Sequence, residues 1–95
     1  MSFTIDYKDK VVLVTGVSSG IGLGTAIEFA KAGAHVAGCS RKAAGDTCAV
    51  AFRKAVEAEG VRALYRQADV TCPEDLEALV RETVDTFGRI DILVS

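Results

Sequence analysis

The sequence lacks the features that mark several large classes of protein. Its 95 residues include no Trp, one Pro and one His, and its apolar runs are short, such as VVLV at 11–14. A bilayer-spanning helix needs roughly 20 apolar residues, so the sequence predicts no membrane segment. The 11 basic and 13 acidic residues are interspersed, giving a formal net charge of -2 without a block of either sign. Without a basic stripe, we predict no nucleic-acid partner.

Cysteine and histidine are too scattered to form a metal site. The sequence has three cysteines, Cys39, Cys48 and Cys72, and no two of them form a C-x-x-C pair. The one histidine, His35, is the only other side chain of the kind that binds zinc through nitrogen or sulfur. We therefore predict three reduced thiols in a cytoplasmic protein that binds no metal. Residues 1–10 mix acidic and apolar side chains, which is not the pattern of a secretory signal.

What the sequence does contain is an alternation of two hydrophobic patterns. Short apolar runs predict strands at 10–15, 35–39 and 90–94, and a loose alternation at 61–67 that leads into 68–70 predicts a further strand. Apolar stripes spaced three and four residues apart predict a helix between each pair of strands. Strands joined in this way by short connections build a parallel sheet through right-handed crossovers. The predicted fold class is therefore α/β, one domain over 1–95, a Rossmann-type doubly wound parallel sheet with four strands in the order 3-2-1-4 and three helices.

The helical stripes predict which side chains face the sheet. In the first helix, at 21–31, Gly24 is predicted to serve packing. Asp46 is the predicted N-cap of the second helix, and either Thr71 or Cys72 caps the third. The stripe of the second helix consists of Cys48, Phe52, Ala55, Val56 and Glu59. The stripe of the third consists of Leu76, Leu79, Val80, Thr83, Val84 and Phe87.

The segment TGVSSGIGLG, at 15–24, joins the first strand to the first helix and contains four glycines. In dinucleotide-binding folds, glycines in this turn let the backbone approach a pyrophosphate, which rests on the positive end of the helix. Because no Lys-Ser or Lys-Thr follows the glycines, a phosphate-binding loop of the NTPase type is excluded. Ser18 and Ser19 either donate hydroxyl hydrogen bonds to a phosphate or cap the helix, and both roles stay open.

Three motifs in register carry a family resemblance. Residues 15–22, TGVSSGIG, resemble the T-G-x-x-x-G-I-G signature of the classical short-chain dehydrogenase/reductase family. DVT at 69–71 and FGRIDILV at 87–94 resemble the family's next two landmarks, at the end of its third strand and through its fourth. The resemblance covers essentially all 95 residues. It implies an oxidoreductase that transfers hydride between NAD(P) and a carbonyl or alcohol.

The resemblance also implies a set of cofactor-binding residues. Asp69 and Val70 would meet the adenine ring, since a carboxylate can accept a hydrogen bond from the adenine amino group. In the alternative interpretation, backbone N–H groups near the start of the third helix hold the Asp69 carboxylate. Four residues of the glycine loop would line the pyrophosphate: Gly16, Gly20, Ile21 and Gly22.

The end of the second strand, CSRK at 39–42, bears on which nicotinamide cofactor is bound. Folds that prefer NAD place an acid there, about 20 residues past the glycines, to bind the ribose hydroxyls. This chain has no acid at that place. Ser40 offers a hydroxyl and Arg41 a planar fork to a phosphate, whereas Lys42 is expected to be solvated. We therefore predict NADP, with NAD as the alternative.

The residues that perform the chemistry in this family have no counterpart here. The family places a catalytic Ser, a Tyr-x-x-x-Lys pair and an Asn after its fourth strand. Tyr7 and Tyr65 are followed four positions on by Val11 and Asp69, not by Lys. We predict no catalytic residue and interpret the chain as the cofactor-binding first half of a reductase, cut by design, by a truncated gene or by an incomplete record. The activity of the isolated chain stays open.

The full-length protein is expected to be a homo-oligomer with a small-molecule carbonyl or alcohol substrate. A methyltransferase also has a glycine-rich loop after its first strand, but it needs an acid where Ser40 and Arg41 stand. A truncated, inactive nucleotide-binding or regulatory module remains the alternative function. A fourth strand without a further neighbour would expose its edge, so the isolated chain is predicted to aggregate or to pair along that edge.

Overall fold

The computed structural model describes residues 6–95. Strands and helices alternate along the chain: β1 Val11–Thr15, α1 Gly20–Lys31, β2 His35–Ser40, α2 Thr47–Glu57, β3 Ala63–Gln67, α3 Pro73–Phe87 and β4 Ile92–Val94. The predicted order of elements is confirmed, although several ends differ. The prediction that residues 1–10 are not a secretory signal falls partly on 1–5, outside the described residues. Of the helices described, none has the length and apolar character needed to cross a membrane.

The strands form one parallel sheet in the predicted order, β3-β2-β1-β4. β1 is paired on both sides, by β2 and by β4, and its first four residues are fully buried. Val12 and Val14 belong to one core and Leu13 to the other. This explains the continuous apolar run, because a strand covered on both faces has no polar side.

The helices cover both faces of the sheet, as the doubly wound prediction requires. α1 and α2 supply Ala26, Ala30, Phe52 and Val56 to the core that contains Val12 and Val14. α3 supplies Leu79 to the core on the other side. The chain therefore crosses from one face of the sheet to the other between α2 and α3.

The predicted contact face of α2 is partly wrong. Its buried residues are Ala49, Phe52 and Val56, while Cys48 is only half-buried. Glu59 lies beyond the end of the helix at Glu57. The stripe that meets the sheet is thus shifted by one residue at its start.

The predicted contact face of α3 is too wide. Leu79 and Thr83 are buried, whereas Val80 is 38% and Val84 41% exposed. The Thr83 hydroxyl is satisfied inside the helix, because Oγ1 donates to the Leu79 carbonyl at 2.7 Å. Within the described part of the chain, α3 is the only helix that contributes to this core. Only one narrow stripe of α3 is therefore covered by other residues.

The structure tests two predictions about helix caps and one about Gly24. Asp46 is the N-cap of α2, with Oδ1 accepting a hydrogen bond from the Cys48 N–H at 2.9 Å, as predicted. Cys72 and not Thr71 is the N-cap of α3, and Pro73 follows at the first helical position, where its missing N–H costs nothing. The packing role predicted for Gly24 is wrong, because a Cβ added there would meet nothing within 4 Å.

β4 is an open edge of the sheet that the described residues form. It pairs with β1 alone, and Leu93 is 59% exposed. An edge strand presents unpaired N–H and C=O groups to which another strand can bind. The predicted tendency to associate along this edge therefore has a structural basis and stays a prediction.

Leu93→Lys is expected to weaken self-association of the chain, because a charge on an edge strand opposes edge-to-edge pairing. Sedimentation velocity at increasing concentration should show association of the unaltered chain and less of it for the variant. Val80→Lys puts the same charge on the exposed face of α3 and serves as the control. Equal effects of both substitutions, or an unaltered chain that stays monomeric, would contradict pairing through β4.

Candidate nucleotide-binding site

The loops that follow β1, β2 and β3 meet at the carboxyl end of the sheet. They border a cleft of about 450 Å³, in the region where open parallel sheets bind ligands. Four of the predicted site residues lie instead at the start of α1: Ser19, Gly20, Ile21 and Gly22. Six line the cleft: Gly16, Ser18, Ser40, Arg41, Asp69 and Val70.

The three glycines of the loop, Gly16, Gly20 and Gly22, have different structural roles. Gly16 has a φ of +69°, in the left-handed region that favours glycine. A Cβ on Gly22 would lie 2.1 Å from the Gly16 carbonyl oxygen, so α1 can rest on the loop only without a side chain there. A Cβ on Gly20 would meet nothing within 4 Å. Gly20 therefore keeps space open at the helix N-terminus, which is the space a bound phosphate would need.

The N-terminus of α1 is suited to an anion. Its first turn contains no acidic residue, so no carboxylate offsets the free N–H groups and the positive end of the helix dipole. Ile21 in this turn is 87% exposed. The loop thus places an apolar side chain next to a group of backbone donors.

The two serines of the loop differ in their surroundings. Ser19 is the N-cap of α1: its Oγ accepts from the Gly22 N–H at 3.1 Å and donates to the Gly16 carbonyl at 2.9 Å. The Ser19 hydroxyl hydrogen is therefore used inside the protein. Ser18 is exposed and lines the cleft. Of the two roles left open by the sequence, capping belongs to Ser19, and donation to a phosphate stays a prediction for Ser18.

The end of β2 carries a cation and no acid. Arg41 is exposed and lines the cleft, and no ion pair to it is found among residues 6–95. Ser40 is only 8% exposed. Its Oγ lies 2.6 Å from Tyr65 Oη and accepts from the Lys42 N–H at 3.2 Å. The Arg41 charge is available to an anion in the cleft, whereas the Ser40 hydroxyl is engaged within the protein.

Asp69 is held as a carboxylate just after β3. Its Oδ1 accepts hydrogen bonds from Thr71 Oγ1 at 2.6 Å and from the Thr71 N–H at 2.9 Å. These two bonds, the hydroxyl's first, lower the pKa of Asp69 against a smaller opposing effect of burial, and the positive charge of Arg41 lowers it slightly further. No hydrogen bond to Oδ2 is present within 6–95. One oxygen is fixed by the turn while the other can accept, so both interpretations of Asp69 can hold together.

Three supporting residues make contacts that were not predicted: Thr71, Tyr65 and Asp75. Asp75 Oδ2 accepts from the Asp69 N–H at 2.9 Å, which ties the turn after β3 to α3. The Asp-x-Thr spacing at 69–71 is a local signal for this kind of turn. The contacts of Tyr65 join two neighbouring strands and depend on the packing of the sheet, so no local spacing indicates them. Asp75 bonds back to the loop that leads into its own helix.

Gly22→Ala is expected to lower the free energy of unfolding by about 1–3 kcal/mol, because the methyl group would overlap the Gly16 carbonyl. Gly24→Ala, at an open position of the same helix, is expected to raise it by about 0.5–1 kcal/mol because glycine disfavours helices. Urea denaturation followed by circular dichroism measures both changes. A neutral Gly22→Ala would show that α1 does not approach Gly16 so closely.

The pKa of Asp69 is expected to lie below the ordinary aspartate value of 3.8. A depressed pKa gives stabilisation that is complete above the ordinary value and is lost as the pH falls through the lower, folded-state value. Thr71→Val removes the hydroxyl bond and keeps the backbone bond, so the pKa should rise. Carbon NMR titration of the side-chain carboxyl measures the change, with Thr47→Val as the control, and identical titration curves would refute the assigned cause.

Known proteins share both the sequence pattern and the fold. The family model described as short chain dehydrogenase matches residues 10–95. Hydroxynaphthalene reductase of Aspergillus fumigatus is 46% identical over 89 residues, which cover 90% of this chain and 31% of the reductase.

Two solved structures have the same architecture. A short-chain type dehydrogenase/reductase from Mycobacterium marinum matches with a TM-score of 0.86 at 31% identity, over 95% of this chain and 35% of that one. A xylitol dehydrogenase with bound NAD+ matches with a TM-score of 0.84 at 33% identity, over 92% and 32%. The chain therefore spans about a third of the length of the proteins it matches. With the family model covering residues 10–95, the chain belongs to the short-chain dehydrogenase family.

Proposed function

We propose that residues 1–95 are the N-terminal, NADP-binding part of an oxidoreductase that transfers hydride between NADP(H) and a carbonyl or alcohol. The observation that carries the proposal lies at the end of β2. Arg41, exposed and without an ion pair among the described residues, stands where NAD-preferring folds place an acid. A guanidinium there attracts the 2′-phosphate of NADP, which an acid would repel.

Three parts of the candidate site suit three parts of the nucleotide. The N-terminus of α1, with Gly16 and Gly20, offers backbone N–H groups and open space to the pyrophosphate. Arg41 offers a planar fork to the 2′-phosphate. Asp69 offers Oδ2 as an acceptor to the adenine amino group, beside the 44% exposed side chain of Val70.

The relatives support a nicotinamide cofactor and a small substrate. The similar xylitol dehydrogenase has NAD+ bound, and the similar fungal protein is named a hydroxynaphthalene reductase. A bound nicotinamide cofactor supplies or accepts the hydride. NAD is the alternative cofactor, and the absence of an acid at 40–42 is what favours NADP.

The described residues hold the cofactor and do not act on the substrate in this proposal. Tyr65 is 7% exposed, and its hydroxyl is bound to Ser40 and Lys42. The Tyr7 backbone N–H donates to the Ala32 carbonyl, which places Tyr7 at the end of α1 opposite the glycine loop. The acid or base for the substrate oxygen is therefore proposed to come from outside residues 1–95.

We propose the cytoplasm as the location of this protein. All three cysteines are free, which suits a reducing compartment. Burial raises the pKa of the Cys39 thiol, which keeps it protonated and unreactive. By resemblance to its family, the full-length protein is proposed to be a homo-oligomer that acts on a small molecule.

Arg41→Ala is expected to weaken NADPH binding by the roughly 1.5–3 kcal/mol of a charge-assisted hydrogen bond, about 10- to 150-fold in Kd. NADH binding should hardly change, because NADH lacks the phosphate that the guanidinium meets. Isothermal titration calorimetry with both nucleotides measures the two affinities on the same protein.

Lys54→Ala removes an exposed positive charge from α2 and is the matched control. It should leave both affinities unchanged. Equal losses for NADPH and NADH on Arg41→Ala would refute the 2′-phosphate contact. An unaltered chain that binds neither nucleotide would refute cofactor binding by these residues altogether.

A further inference from the structure

The exposed loop after β2 is held from the neighbouring strand. Tyr65 Oη lies 2.5 Å from the Lys42 carbonyl oxygen and 2.6 Å from Ser40 Oγ. Gln67 Nε2 donates to the Arg41 carbonyl at 2.9 Å. Tyr65 and Gln67 are two positions apart on β3, so they project from the same side of the strand. We refer to these two side chains as the β3 clamp.

The hydrogens of this network can be assigned from its geometry. The Lys42 carbonyl can only accept, so its short contact with Tyr65 Oη requires the phenol hydrogen. Tyr65 Oη then accepts the hydrogen of Ser40 Oγ, and Ser40 Oγ accepts from the Lys42 N–H. This order leaves the Ser40 hydroxyl no hydrogen to donate to a phosphate. Ser40 therefore acts on the loop itself.

The phenol is fixed by the core of the domain. Tyr65 is 7% exposed, and its ring packs against fully buried Phe52 with 6.1 Å between centroids. The Arg53 guanidinium lies 5.9 Å from the ring centre. Tyr65 has little freedom to move away, so it connects a surface loop to the most buried part of the molecule.

The clamp sets the position of Arg41 without touching its side chain. Ser40 is the last residue of β2 and pairs with Gln67. The carbonyls of Arg41 and Lys42 are both bonded, while the Arg41 guanidinium has no ion pair among the described residues and borders the cleft. A charged group whose main chain is already ordered loses less entropy when a ligand binds.

We propose that Tyr65 is a positioning residue for cofactor choice, and that its hydroxyl, with Gln67, holds 40–42 so that Arg41 meets a 2′-phosphate. This rests on the proposed function, since it names what orients Arg41 for that contact. Tyr65 does not line the cleft. Its effect is on the preference for a phosphate at the 2′ position and not on nucleotide binding in general.

The test compares 2′,5′-ADP with 5′-AMP, which share the adenosine and the 5′-phosphate and differ in the 2′-phosphate. Titration calorimetry of the chain with each probe gives the ratio of affinities. Tyr65→Phe keeps the ring and removes the hydroxyl, so it is expected to weaken 2′,5′-ADP binding about fivefold and to leave 5′-AMP binding unchanged. Tyr7→Phe removes a phenol hydroxyl far from the cleft and should change neither affinity.

Gln67→Ala provides a second variant, since Gln67 is exposed and its loss leaves the core intact. It should shift the ratio in the same direction as Tyr65→Phe. An unchanged ratio in Tyr65→Phe, or an equal loss for both probes, overturns the positioning role. If Tyr65→Phe does not fold, an unchanged ratio in Gln67→Ala overturns it instead. An unaltered chain without any preference for 2′,5′-ADP overturns the proposed NADP specificity. Failure of the proposed function is thus distinguished from failure of the positioning role of Tyr65.

Discussion

The site depends on how closely α1 approaches the end of β1. That approach exists because Gly22 has no side chain: any Cβ would lie 2.1 Å from the Gly16 carbonyl oxygen. Ser19 reinforces the same contact, since its hydroxyl bonds to Gly16 and to the Gly22 N–H. As a result the helix starts at the carboxyl edge of the sheet. Its free N–H groups then lie next to Gly16 and Ser18, which line the cleft together with residues that follow β2 and β3.

Opposite charges line this cleft without cancelling each other. Arg41 is near enough to Asp69 to lower its pKa slightly, yet the two form no ion pair among the described contacts. Thr71 bonds twice to Oδ1 of Asp69, and Asp75 bonds to its backbone N–H. These contacts hold the carboxylate in its own turn, so a positive and a negative group stay available at separate points of one cleft.

Periodicity and loop chemistry predicted most of the fold and the outline of the site. The strand order follows from apolar runs and short connections, and the Asp46 cap follows from a local hydrogen bond. The predictions that failed concern which neighbour covers a surface. Val80 lies on an apolar stripe yet is exposed. An apolar stripe does not indicate how many helices share one face of the sheet, and among the described residues only α3 contributes to the core on this face. Cofactor contacts by the ten predicted site residues remain predictions, and the placement of six of them around one cleft came from the structure.

The β3 clamp determines which substitutions the loop after β2 can accept. Two of its bonds to the loop end on main-chain carbonyls, those of Arg41 and Lys42, and a further one joins Tyr65 to Ser40 Oγ. Every amino acid carries that carbonyl, so side chains at these two positions can be exchanged while the scaffold beneath them keeps its bonds. An acid could replace the guanidinium without rebuilding the loop. Under the proposed function, a single surface substitution at position 41 would then change the cofactor preference while the backbone of the loop stays the same.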